Sequence, residues 1–195
     1  MQTINKRDFE RIYRELEKQE RKREELIKLC RELRINSTKA VAKAHAENIE
    51  EAEKHLEVAE NLLKKILKYR KYPFYRSISG DAMQEYVEGV VFLSYLKGST
   101  PPEFLEIDVP SILTGYADTV GEIRRLALDL MRKGKVDEAE NCLSAMEEIY
   151  SNLIQFSFPE KLVPNLRHKV DLARNLIERV KSELLTAKLI NLLKK

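Results

Sequence analysis

Four acidic residues stand out by the company they keep. In MQEYVEGVVFL, Glu85 and Glu88 are three residues apart; in LTGYADTVGEI, Asp118 and Glu122 are four apart. Each pair therefore projects from one face of one helix, about a turn apart. Their neighbours are Tyr, Val, Leu, Ile and Gly rather than Lys and Arg, which directs the carboxylates inward with no partner close in sequence. Burying unpaired carboxylates is costly, and a cluster of four calls for a compensating cation. An all-oxygen donor set favours Mg2+ or Mn2+ over softer metals, and facing helices of a bundle are established hosts for such sites.

The chemistry this would support is metal-assisted activation of water: a bound Mg2+ or Mn2+ acidifies the water, and a carboxylate not fully engaged by metal takes up the proton. Glu85, Glu88, Asp118 and Glu122 are thus candidates both as metal ligands and as catalytic groups. The plainer alternative is that each acid pairs with an Arg or Lys from another helix. A single E-x-x-E spacing would not decide between them; two acid pairs in apolar surroundings favour the ion.

A second feature is KYRKYPFYR, in which Lys68, Arg70, Lys71 and Arg76 alternate with Tyr69, Tyr72, Phe74 and Tyr75 without any acid. Phosphates attract the cations and unstacked bases the rings, so Lys68, Arg70, Lys71, Tyr75 and Arg76 are candidate nucleic-acid contacts. Equally, the run suits a helix C-terminus whose cations complement the helix dipole while the rings dock on the core. Arg31, Arg34, Lys39 and Lys43 add a candidate basic face. His45, His55 and His168 share no simple ligand spacing, and no phosphate-cradling glycine loop or Ser-His-Asp arrangement is present.

The elements that must position these residues are helical. Leu, Glu, Lys, Ala and Arg dominate, with only 6 Gly and 6 Pro in 195 residues. The apolar rhythm predicts a helix from Lys6 to about Ile35, a bend or new N-cap at Asn36-Ser37-Thr38, and a continuation to about Tyr69 that Pro73 terminates. FYRSISGD is expected as a connection, with Ser79 or Asp81 capping a helix from about Asp81 to Leu96. KGSTPPEFLEIDVP is a loop; Pro110 opens a helix that runs to about Arg132, where Gly134 stops it. Further helices are expected over about 136–156 and 165–193. An all-α bundle of six or seven helices follows, antiparallel where connections are short, with residues 1–195 as a single domain. Gly89, Gly115 and Gly121 lie in helices, where close approach of a neighbour explains glycine better than propensity does.

Charged residues make up 34% of the chain but nearly cancel, at a formal +3, so overall charge does not choose the partner. Cys30 and Cys142 have no C-x-x-C pairing, and neither a secretory leader nor a membrane-length apolar run is visible. A cytoplasmic protein is expected. The length of the first and last helices points to subunit contacts.

QEYVEG at 84–89 followed by LTGYADTVGE at 113–122 resembles the paired signature of the translin and TRAX proteins. PNLRHKVDLAR, with His168 where Arg is commoner, is similar to a segment near that family's C-terminal helix, and the stretch from Arg31 to Lys39 also fits. The resemblance covers most of the chain in order. It implies a helical fold assembling into a closed shell of roughly eight subunits around nucleic acid. It further implies either single-stranded RNA or DNA binding, as in translin, or Mg2+-dependent endoribonuclease activity, as in TRAX. All four motif carboxylates are present, so the TRAX-like activity on RNA, single-stranded or duplex, is the one implied. The connection from Lys97 to Pro110 lacks the longer insertion of many relatives, which points to a compact, prokaryotic-type member that assembles with itself. Competing readings are a non-catalytic translin-like binder, an all-α nucleotide pyrophosphohydrolase using helix-borne acids, and a pure scaffold.

Overall fold

The computed structural model describes residues 5–193, which form six α-helices and no strand among the described residues. They are α1 (Lys6–His45), α2 (Ile49–Ile66), α3 (Tyr75–Leu96), α4 (Val109–Arg132), α5 (Val136–Leu153) and α6 (Leu166–Leu193), with one 3-10 turn at Leu67–Tyr69.

α1 runs unbroken through the bend expected at Asn36-Ser37-Thr38. The side chains that suggested a break bond instead to the helix's own carbonyls, Asn36 donating to Glu32 O and Ser37 to Leu33 O. Packing decides the matter. Leu26, Cys30, Leu33, Ser37, Ala40 and Ala44 recur every three or four residues and are all buried. The actual break comes at Ala46–Asn48, where Glu47 adopts a positive φ of 60° and the Asn48 side chain caps α2 by accepting from Glu51 N.

α3 begins six residues earlier than its expected start at Asp81. Tyr75 docks into the core at the first turn, and Ser79 is buried within the helix, donating to Tyr75 O rather than acting as a cap. Pro110 sits in the first turn of α4 and Gly134 follows its end at φ 75°, as expected; the structure adds Asp108 as the cap, accepting from Ser111 N.

Helix directions follow from the contacts. Thr38 meets Glu85 and His45 meets Phe92, so α1 and α3 run the same way. Ser111 meets Gly80 and Asp118 meets Gln84, so α4 is parallel to α3. Asp118 meets Lys169 and Arg124 meets Glu183, so α6 is parallel to α4. Only α2 and α5 return in the opposite sense, α5 pairing Glu140 with Lys188 and Glu147 with Lys181 of α6. Short connections do give antiparallel neighbours, as at 46–48 and 133–135. The 97–108 connection instead travels back along α3, and its end is pinned there: Ile107 is buried in the core with Leu26 and Tyr75, and Arg70 donates to Glu106 O.

Candidate active site

Helices α3 and α4 touch most closely at Gly115. A Cβ there would lie 2.7 Å from Val87 Cβ and 2.8 Å from Gln84 O, so only glycine allows this approach. Gly89 has a milder version of the same role, with Leu56 and Ser37 O near its Cβ position. Gly121 does not: nothing lies within 4 Å, so the expectation of close approach there is overturned. The contact at Gly115 sets the Glu85 and Glu88 face of α3 against the Asp118 and Glu122 face of α4.

The four parallel helices all contribute to the result. From α1, Thr38 donates to Glu85 Oε2 at 3.2 Å, and His45 Nε2 lies 2.6 Å from Glu122 Oε2. A carboxylate only accepts, so Nε2 carries the hydrogen of this contact. The His45 ring is held against Phe92 of α3, with ring centroids 4.6 Å apart. From α3, Gln84 Nε2 donates to Asp118 Oδ2 at 2.7 Å. From α6, Lys169 Nζ takes both oxygens of Asp118, at 2.6 and 2.7 Å. Arg125, one turn along α4, stands 3.8 Å from Glu122.

Glu88 is the acid on which the others converge. Burial, and then the negative fields of Asp118, Glu85 and Glu122, push its carboxyl up to about 8, against the opposing field of Lys169. Its proton is therefore retained at neutral pH in this state.

The expectation that these acids have no partner close in sequence needs correction at Glu122, and the alternative of pairing across helices holds in part. Three of them have partners: Lys169 and Gln84 for Asp118 and Thr38 for Glu85 from helices remote in sequence, and for Glu122 both the remote His45 and the local Arg125. Turned onto those partners, no three of the described His, Cys, Asp and Glu side chains form a group ready to hold a metal. The donor chemistry still suits a hard divalent cation. The set is all oxygen, and Cys30 and Cys142 are buried apart from it, the latter against Tyr95. In Glu88 the site holds a half-buried, acid-surrounded carboxyl whose ionisation a cation would ease.

The candidate nucleic-acid residues divide. Arg31 and Arg34 are exposed and lie seven and four residues before Thr38, on the α1 face that meets Glu85. Lys39 and Lys43 sit around the helix from that face. Lys68, Arg70, Lys71 and Arg76 are exposed at the α2 to α3 turn; Arg70 is engaged with Glu106 O, and Lys71 lies 5.5 Å from the Tyr72 ring centroid. Tyr75 is a correction: it is buried, with its hydroxyl donating to Met83 Sδ, and offers no ring face to a base. Arg76 lines a cleft of about 380 Å3 with Gly80, Gln84, Lys161 and Asn165. Gln84 joins that cleft to Asp118.

Lys169, His45, Thr38 and Gln84 were not singled out as site residues in the sequence. Thr38 and His45 are seven apart, a spacing that places both on one face of α1. His55, by contrast, is spent on Asn36.

No family profile matches the chain. It is 28% identical over 168 residues to an uncharacterized protein of Methanocaldococcus jannaschii, covering 84% of this chain and 75% of that protein. Among solved structures it is similar to NeC3PO in its apo form, at 26% identity and a TM-score of 0.83 over 92% of this chain and 96% of that one. It is 45% identical to AfC3PO, with a TM-score of 0.91 over 95% of this chain, both in the structure of that protein alone (99% of that chain) and in its complex with duplex RNA (98%). Identity at that level over nearly the whole of both chains carries the resemblance seen in QEYVEG and LTGYADTVGE through to a conclusion: the chain belongs to the translin/TRAX family of C3PO proteins.

Proposed function

We propose that this protein binds RNA and cleaves it internally as a Mg2+- or Mn2+-dependent endoribonuclease. The observation that carries this reading is the convergence of Asp118, Glu85 and Glu122 on the half-buried Glu88, from two helices held together at Gly115. RNA as the ligand is supported by AfC3PO, which has been solved bound to duplex RNA.

Glu85, Glu88, Asp118 and Glu122 would hold the cation, which when bound would polarise the scissile phosphate and acidify water. The chain's own residues prepare the site. Gln84 fixes the Asp118 rotamer, His45 orients Glu122, and Thr38 steadies Glu85. Arg31 and Arg34 on one side, and Arg76 with Lys161 on the other, offer cations to the phosphates of an RNA laid across the acids. A carboxylate not engaged by cation would accept the proton of the attacking water.

Assembly belongs to the same reading. Phe9, Ile12, Tyr13 and Leu16 on α1 and Leu185, Leu189 and Ile190 on α6 are exposed apolar residues on helical stripes, suited to contact between copies in a homo-oligomeric shell of roughly eight. Among the described residues, no helix is long and apolar enough to cross a membrane. A cytoplasmic location fits this reading.

The second reading is an RNA or single-stranded DNA binder without cleavage. It is favoured by the fact that Lys169 and His45 already answer two of the acids. Asp118→Asn separates the two: the nuclease reading requires it to abolish cleavage while RNA binding persists, and undiminished cleavage in that variant contradicts it.

A further inference from the structure

We propose that Lys169 is the resident cation of the acid cluster: it holds Asp118 in the metal-free protein and must be displaced for a divalent ion to bind. It thereby sets how tightly the site takes its metal. This inference rests on the endoribonuclease reading of the four carboxylates.

Lys169 reaches in from α6, whereas the acids belong to α3 and α4. Its ammonium bonds both oxygens of Asp118, at 2.6 and 2.7 Å, and Gln84 adds a third contact at 2.7 Å. A carboxylate offers about four lone-pair sites, so three of those on Asp118 are in use. The pair is largely sheltered, with about a quarter or less of either side chain exposed, so water screens it weakly. The Lys169 field also extends past Asp118 to Glu88, where it opposes the three acids. One ammonium therefore offsets part of the charge of the whole cluster.

A divalent ion competes for the same oxygens with twice the charge. Its binding releases Lys169 from Asp118, so the measured metal affinity is that of the carboxylates less the strength of the existing pair. Asp118 is thus shared between the ammonium from α6 and the acids of α3 and α4, whose charges reach the same Glu88. Once displaced, Lys169 stays tethered beside the cluster.

The test is calorimetric titration of Mn2+ into the full-length protein, with Lys169→Met, Lys169→Gln and Lys169→Arg in parallel. Removing the competing charge should tighten Mn2+ binding on the order of tenfold in the Met and Gln variants, since an opposed charge at a sheltered site is worth that much or more. The Arg variant keeps the charge and should bind Mn2+ no more tightly than the wild type. A role confined to positioning Asp118 gives the opposite pattern, with weaker binding in Met and Gln and recovery in Arg; that pattern overturns the proposal, as does an unchanged affinity in all three. Thermal unfolding supplies an independent reading. The metal-free Met and Gln variants should melt below the wild type, and Mn2+ should raise their Tm by more than it raises that of the wild type. Equal Mn2+ shifts count against the proposal. If the wild type binds no Mn2+ at all, it is the metal reading of the acids that fails.

Discussion

Gly115 faces Val87 so closely that a Cβ on the glycine would stand 2.7 Å from the Cβ of the valine, inside any real carbon–carbon contact. The two helices that carry the acids meet at that point, and the separation of the two acid pairs depends on it. The backbone carbonyl of Gln84, 2.8 Å from the same position, cannot be moved without moving α3. Gly115→Ala should therefore destabilise the fold by about 1–3 kcal/mol, as overpacking does. It should also spread the acid pairs, so that chemical denaturation shows the loss and any Mn2+-induced gain in Tm shrinks with it. A fully stable Gly115→Ala protein would mean that α3 and α4 are not tightly apposed.

Gly121 gives the contrasting case. Nothing lies within 4 Å of where its Cβ would be, so Gly121→Ala should stabilise α4 by about 0.5–1 kcal/mol, the helical preference for Ala over Gly. The same variant should weaken RNA binding if the open space one residue before Glu122 receives the ligand. A denaturant melt and an RNA titration of the one variant check both halves, and a drop in stability would place an unsuspected neighbour at this position.

Glu88 should make the metal-free protein sensitive to pH. Its folded carboxyl titrates at about 8 and the unfolded one near 4.5, so folding retains a proton between those values. Stability should be unaffected by this group below pH 4.5, fall as pH rises from about 4.5 to 8, and level off above. Glu88→Gln should remove that slope and gain a few kcal/mol over the wild type near pH 8. Parallel pH profiles of the two proteins in EDTA would contradict the half-buried, acid-surrounded placement of Glu88.

RNA affinity should decline steeply with salt, by about 0.7 to 0.9 log units per tenfold rise in salt for each phosphate neutralised. Arg31→Ala, Arg34→Ala and Arg76→Ala should each reduce that slope by about one contact, because these exposed cations border the acids along α1 and the Gln84 cleft. Tyr75→Phe should leave RNA binding unchanged, since the residue is buried. A titration series in KCl discriminates among them.

How much of this was legible in the sequence depends on the range of the interaction. The acid pairs were visible because i, i+3 and i, i+4 spacings place side chains on one helix face regardless of tertiary context, and their apolar flanks signalled an inward direction. Their partners were not, since His45 is 77 residues from Glu122 and Lys169 is 51 from Asp118, and no local pattern links either pair. The opening of α4 followed from Pro110, whose role is fixed by local backbone chemistry. Asn36 and Ser37 misled for the converse reason: their capping preference was overridden by a buried stripe that runs past them. The true break at Asn48 carried a legible signal, an Asn three residues ahead of Glu51. Tyr75 looked like a stacking residue because an aromatic among cations reads alike at a surface and at a docking first turn. Only packing separates the two.

The measurement that bears most directly on the account is incubation of end-labelled RNA, single-stranded and duplex, with the full-length protein in Mg2+, in Mn2+ and in EDTA, beside the Asp118→Asn variant. The account predicts internal cleavage with either metal, none in EDTA and none with the variant, which still binds RNA. Binding without cleavage under every condition, or cleavage that persists in EDTA, would contradict the assignment of Glu85, Glu88, Asp118 and Glu122 as a metal-dependent catalytic site.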